Sequence, residues 1–153
     1  LDEAVSALDV SIRAQVITLL EQLQTDLGVS YLYIGHDLAT VSHLAHRVGV
    51  MYLGRLCEVG DSVTVSTDPR HPYTQALFAS ALPYLPEEAG AGQESVPVTG
   101  EVPSALNLPS GCRFHTRCPL AEARCSAEEP QLIQVDEAHH AACHLLPLTV
   151  GRR

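Results

Sequence analysis

Basic residues are scarce in this sequence: nine Lys and Arg stand against eighteen Asp and Glu, giving a net charge of -9 at pH 7. Nucleic-acid binding draws on cations that displace counterions, so this balance argues against a nucleic-acid partner. Long apolar runs are missing as well. Stretches such as residues 48–53 fall far short of the roughly 20 residues of a membrane-spanning helix, so membrane association has to run through a partner protein. No charged-then-apolar leader opens the chain, which starts at Leu1 directly on an acidic motif. The expectation is therefore a piece of a longer polypeptide, in which a leader would be hidden.

What is present suits a globular protein. The hydrophobic share of 46% over 153 residues allows a sizeable core. The five cysteines divide into four plus one: Cys112, Cys118, Cys125 and Cys143 cluster, whereas Cys57 lies far off in an apolar context. An odd count argues against a disulfide framework, and a clustered quartet in a reducing compartment is more often a metal site. Cys57 reads as a small buried hydrophobe.

Ile12, Val16, Leu19, Leu20, Leu23 and Leu27 recur at helical spacing, with Asp9 placed to cap the start and Gly28 the end. Residues 30–35 are short, apolar and rich in β-favouring types, which predicts a strand ending just before His36. Asp37 then caps a second helix whose apolar stripe is Leu38, Val41, Leu44 and Ala45. Residues 48–53 and 56–59 flank Gly54-Arg55 and predict a hairpin. Pro72 suits the first turn of a third helix, running to about Leu82 before Pro83 stops it. Pro, Gly and Glu dominate the next stretch to Thr99, which reads as a linker. The cysteine-bearing tail beyond it is expected to be irregular apart from a short helix near Leu120.

Asp2 and Glu3 form an adjacent carboxylate pair, ordinarily a solvated surface or a helix-entry charge. Here they stand at one inferred strand end, and His36 stands at another. Ligands collect outside such carboxyl ends in open α/β sheets. Hydrolysis of a nucleoside triphosphate needs a carboxylate to hold a hard Mg2+ ion and a second group to orient the attacking water. Asp2 and Glu3 can divide those roles, and a strand-end imidazole can sense the terminal phosphate. His36 on its own fits an ordinary hydrogen-bonded strand-end residue equally well.

These residues carry a resemblance. The run Leu1-Asp-Glu-Ala-Val-Ser-Ala-Leu-Asp9 resembles the Walker B motif and D-loop of ABC ATPases, and Ile34-Gly-His-Asp37 resembles their switch-histidine loop. Met51-Tyr-Leu-Gly-Arg55, His71-Pro-Tyr-Thr-Gln-Ala76, Gly100-Glu-Val-Pro-Ser104 and Gly111-Cys-Arg-Phe-His-Thr-Arg-Cys-Pro119 are similar to segments of the oligopeptide/dipeptide transporter subfamily. The fold implied is α/β: the C-terminal part of an ABC-type P-loop ATPase domain over residues 1–66, a helical connection over 67–83, a linker over 84–99, and a small irregular cysteine-rich metal-binding extension over 100–146.

The resemblance implies that Asp2 helps hold Mg2+ through water, that Glu3 polarises the hydrolytic water as general base, and that His36 contacts the γ-phosphate of ATP. Ser6 and Asp9 would face a second ATPase subunit, a copy or a paralogue, across the nucleotide. The partners implied are that subunit and membrane permease subunits, on the cytoplasmic face of the membrane and peripheral to it, in a peptide importer. Ala4 stands where the family usually has proline, a change expected to affect only the turn. The Gly-Lys-Ser/Thr phosphate loop and the Ser-Gly-Gly signature segment are absent from the sequence, so these residues alone are expected neither to bind ATP tightly nor to hydrolyse it.

The quartet has the spacing C-x5-C-x6-C-x17-C, with Pro119 after the second cysteine. Four thiolates satisfy tetrahedral zinc or a [4Fe-4S] cluster. Structural zinc sites use tighter intervals, so the spacing tilts towards iron-sulfur, and the resemblance points the same way, with a structural role for the cluster. Arg113, Arg117 and Arg124 are placed to offset thiolate charge. His115, His139, His140 and His144 read as exposed polar residues, since four cysteines already complete a site. The competing reading of the whole chain is a non-enzymatic metal-binding interaction module. A different P-loop ATPase, of the DNA-repair kind, is opposed by the acidic charge.

Overall fold

The computed structural model describes residues 1–81 and 98–146, so the predicted helix stop at Leu82 and Pro83 and most of the linker lie outside the described residues. The chain divides into two compact units, Leu1–His46 and Arg47–Arg153. Helices and sheet are mixed, as expected, but the named strands pair only in antiparallel fashion.

In the first unit, α1 spans Val10–Leu27. The Asp9 carboxylate accepts from the N–H groups of Ser11 and Ile12, and Gly28, at φ 63, donates its N–H to the Gln24 carbonyl, so both expected caps are in place. The predicted apolar stripe is less covered than its periodicity implies. Ile17 is the buried residue of α1, whereas Leu19 and Leu27 are 53% and 66% exposed. The other helix of this unit, α2 (Leu38–Leu44), is 7 residues long and too short to cover an 18-residue neighbour. Asp37 caps α2 through Ala39 and Thr40.

Residues 30–35 do not form the expected strand. A single parallel bridge joins Asp2 to Ile34, made by Glu3 N–H to the Ile34 carbonyl and Ile34 N–H to the Leu1 carbonyl, both 2.8 Å. The segment that makes this bridge bends away at once, at Glu3 with φ 44, so no ladder develops.

The second unit is built on a four-stranded sheet in the order β1-β2-β4-β3. Its hairpin is β1 (Arg47–Tyr52) and β2 (Arg55–Asp61), and alternation along β1 buries Val48, Val50 and Tyr52. The turn falls on Leu53 and Gly54, one residue earlier than expected, at φ 45 and 78. A two-residue turn matched to strand twist needs left-handed backbone at both positions, which glycine supplies at no steric cost and Leu53 at some. A short helix α3 (Ser62–Thr67) follows, capped by Asp61; its β-branched run hides it from pattern reading. Pro72 opens α4 (Pro72–Ala81), as predicted.

The tail departs most from expectation. Besides α5 (Ala123–Ala127), close to the predicted short helix, it supplies β3 (Ile133–Asp136) and β4 (His139–Ala141). Strand β4 pairs with the hairpin through Glu58 opposite Ala141 and Val59 opposite His140. Strands of four and three residues are too short to show alternation in a sequence. The core of this unit gathers Tyr52, Cys57 and Phe114, with Leu53, Tyr73, Cys112 and Cys118 packed against them. Cys57 is thus the buried apolar thiol that its context predicts.

Candidate functional site

The acidic opening and the strand-end histidine meet in the first unit. The bridge between Asp2 and Ile34 sets the two segments side by side, and two residues on, His36 Nδ1 lies 3.0 Å from Glu3 Oε1. Both side chains are more than half exposed, so the pair is open to a ligand. The positive φ of Glu3 turns the chain sharply, a conformation that costs a non-glycine residue about 1 kcal/mol or more. Ser6 holds that turn: its Oγ donates to the Glu3 carbonyl at 2.9 Å and its N–H to the same oxygen at 3.1 Å. The Asp9 carboxylate caps α1, and the Ile12 N–H and the Ser11 hydroxyl hold its carboxyl below the usual range.

The pairing of Arg13 with Asp37 belongs to this arrangement and carried no signal in the sequence, because nothing in their spacing pairs residues 24 apart. Arg13 Nη1 donates to Asp37 Oδ2 at 2.7 Å and its Nη2 to the Leu8 carbonyl at 3.2 Å. The guanidinium therefore fastens the loop after Glu3 to the residue after His36. Burial works against ionisation of Asp37, but donors from Thr40 and the Arg13 charge outweigh it and keep the carboxyl below its ordinary range.

The four tail cysteines share one neighbourhood of the second unit. Cys112 N–H donates to the Cys125 carbonyl at 2.8 Å, and Gly111 at φ 62 lets the backbones approach, since a Cβ there would lie 2.4 Å from that same carbonyl. All five cysteines are free thiols. Burial pushes the Cys143 thiol up to about 11, and Cys112, Cys118 and Cys125 push it the same way. Burial likewise raises Cys112 and Cys118, each reinforced by Cys125.

Proximity does not amount to the expected metal geometry. Among the described residues no three His, Cys, Asp or Glu side chains are placed to hold a metal ion, so Cys112, Cys118, Cys125 and Cys143 do not converge as a tetrahedral zinc site requires. The physical reason is that protonated thiols behave as small apolar groups, and Cys112 and Cys118 pack on the Tyr52–Phe114 core. The neighbouring cations are also engaged elsewhere: Arg113 with the Leu53 carbonyl, Arg117 with the Gly100 carbonyl, Arg124 with Glu128.

The histidines divide. His115 and His144 bond the carbonyls of Cys112 and Glu128 at 2.8 and 2.9 Å, whereas His139, expected to be exposed, is 1% exposed. Its partner is Glu58, a fully buried carboxylate that sequence reading passed over. Glu58 Oε1 accepts from Arg70 N–H at 2.7 Å and lies 2.7 Å from His139 Nε2, while Oε2 accepts from His71 N–H at 2.8 Å. The sequence gives no sign of it: Cys57 beside it is buried too, and strict alternation along β2 would send Glu58 to the opposite face.

His71 is buried too, and its Nδ1 accepts from Tyr73 N–H at 3.0 Å at the entry to α4, which fixes the Nε2–H tautomer. Burial lowers its pKa from 6.5 to about 4. A depressed imidazole pKa means that the unfolded chain binds a proton first, so the contribution is whole above pH 6.5 and is lost between there and about pH 4. Over that window His71 should account for about 3 kcal/mol of acid destabilisation. His71→Asn keeps an acceptor for Tyr73 N–H and removes the titration. Urea denaturation of both proteins at pH 7 and pH 4 should show a smaller pH difference in the variant; equal differences would contradict the assignment.

Residues 57–125 match the family model described as "Oligopeptide/dipeptide transporter, C-terminal region". The chain is 52% identical over 144 residues to a probable peptide ABC transporter ATP-binding protein, y4tS, of Sinorhizobium fredii, covering 94% of this chain and 40% of that protein. The chain is a homologue of the C-terminal region of peptide ABC transporter ATP-binding proteins. Its likeness to the oligopeptide transport ATP-binding protein AppF of Bacillus subtilis is 47% over 144 residues, 94% of this chain and 44% of AppF. With the oligopeptide transport ATP-binding protein OppF of Haemophilus influenzae it is 47% over 143 residues, 93% and 42% of the two chains. The chain thus spans about two fifths of the length of the curated relatives it matches. Among the described residues no helix is long and apolar enough to cross a membrane.

Proposed function

We propose that this chain carries the hydrolytic end of the ATPase site of a peptide importer's energy-coupling subunit. The observation that supports this most is the 3.0 Å approach of His36 to Glu3, held beside Asp2 by the bridge to Ile34. In this reading Glu3 takes a proton from the attacking water, and the Glu3–His36 contact orients both groups towards one terminal phosphate. Asp2 and Glu3 are exposed oxygen donors of the kind a hard cation takes, so the residues fit Mg2+ at Asp2. That ion, when bound, neutralises charge on the phosphates. Ser6 and Asp9 shape the loop offered to a second ATPase subunit, and the permease subunits bring the whole to the cytoplasmic face of the membrane. The names of the relatives, which specify peptide or oligopeptide transport, support the substrate class.

The sequence contains no Gly-Lys-Ser/Thr loop, so the test supplies one. In a chimaera this chain replaces the matching stretch of the Haemophilus OppF protein, and the chimaera should hydrolyse ATP and restore oligopeptide uptake in cells lacking that protein. A folded chimaera that binds ATP and never hydrolyses it would overturn the reading.

The quartet is proposed as the ligand set of a [4Fe-4S] cluster, with a structural role. The mutual proximity of the four thiols supports this reading, and so does a spacing in the sequence wider than structural zinc sites use. Anaerobic reconstitution with iron and sulfide should give a broad visible absorbance that Cys118→Ser removes. An unchanged spectrum together with one bound zinc per chain would sink the cluster assignment.

A further inference from the structure

The geometry points to Glu58 and His139 as a positioning pair that sets Cys143 against the other three thiols. Strand β4 is held to β2 by two residue pairs, Glu58 with Ala141 and Val59 with His140, and beyond them Ala142 N–H donates to the Cys57 carbonyl at 2.8 Å, one residue before Cys143. On its other side β4 pairs with β3, itself four residues long, so both ladders that hold it are short and gain from a side-chain anchor. Glu58 is that anchor. Its carboxylate is immobilised by Arg70 and His71 N–H, and on the remaining side it meets His139 Nε2 at 2.7 Å, with both side chains buried.

Nothing else polar holds the His139 ring, because its Nδ1 is buried with no partner. Its face rests on Gly60, where a Cβ would come within 3.0 Å of the ring. The Glu58–His139 hydrogen bond therefore adds a buried side-chain anchor to the backbone ladders of β4 with β2 and β3, four residues before Cys143. Cys112, Cys118 and Cys125 have a different support. They lie on the segment from Gly111 to α5, closed by Cys112 N–H to the Cys125 carbonyl and by the turn from Cys118 N–H to His115. Loss of the Glu58–His139 contact should free Cys143 and leave the other three in place, an effect that general destabilisation does not produce.

The whole chain, without metal and under native conditions, is treated with iodoacetamide, and each cysteine's modification rate is read by mass spectrometry. Glu58→Gln and His139→Ala should each accelerate Cys143 by about tenfold or more and leave Cys112, Cys118 and Cys125 within about twofold. His139→Gln, which restores a donor near the Nε2 position, should return Cys143 towards the wild-type rate. If Glu58→Gln does not fold, the contrast between the two His139 variants decides. An unchanged Cys143 rate, or equal acceleration of all four thiols, would overturn the proposal. A second arm rests on the cluster reading: reconstituted Glu58→Gln should lose its visible absorbance to a chelator faster than wild type. Failure of wild type to take up any cluster would remove that reading alone, because the alkylation contrast needs no metal.

Discussion

Glu3→Gln in the ATPase chimaera is expected to lower steady-state ATP turnover by about 100-fold or more while leaving ATP binding intact. The amide keeps the size and the hydrogen-bonding reach of the carboxylate but cannot take a proton from water. Glu3 is suited to the task by what surrounds it. Its backbone is fixed by the bridge to Ile34 and by Ser6, whereas its side chain is exposed and touches His36. Phosphate release measured beside nucleotide binding separates the two effects, and the variant should accumulate the ATP-bound closed form. Wild-type turnover in Glu3→Gln would remove Glu3 from its role as general base.

Phe114→Ala should cost the second unit about 3–5 kcal/mol, the range for truncating a buried phenylalanine. Phe114 is 1% exposed and joins β1 to the start of α4 through three ring contacts: Tyr52 on β1 at 5.3 Å, Tyr73 on α4 at 5.4 Å and His71 before α4 at 5.8 Å. The edge-on contact with Tyr52, at 85°, adds to the area term. Chemical denaturation followed by tyrosine fluorescence measures the loss, and a cost under about 1 kcal/mol would contradict the placement of this ring at the centre of the core.

Local chemistry made the helix ends legible. Asp9, Gly28, Asp37 and Pro72 act at element ends through their own backbone neighbours, so a linear reading finds them. The approach of Glu3 to His36, 33 residues apart, was legible for a different reason: a motif resemblance pointed both at one ligand, and a single bridge does the work of the strands that were expected. Arg13 with Asp37, and Glu58 with His139, join residues 24 and 81 apart through single side-chain contacts, and no period in the sequence encodes them. The tail misled for a related reason. Strand β4 is three residues of His-His-Ala and exists because β2 offers it a partner, so its cause is tertiary. The same pairing buries His139, which composition assigns to solvent.

Glu3 and His36 acting on one terminal phosphate is the claim that the functional account stands on, and a double-mutant cycle on ATP turnover in the chimaera tests it most directly. Glu3→Gln, His36→Ala and the double variant are compared with wild type. Groups that serve a single transition state are strongly non-additive, so the double variant should be about as slow as the slower single one. A double variant whose loss equals the product of the two single losses would show the two side chains working independently and would contradict the shared site.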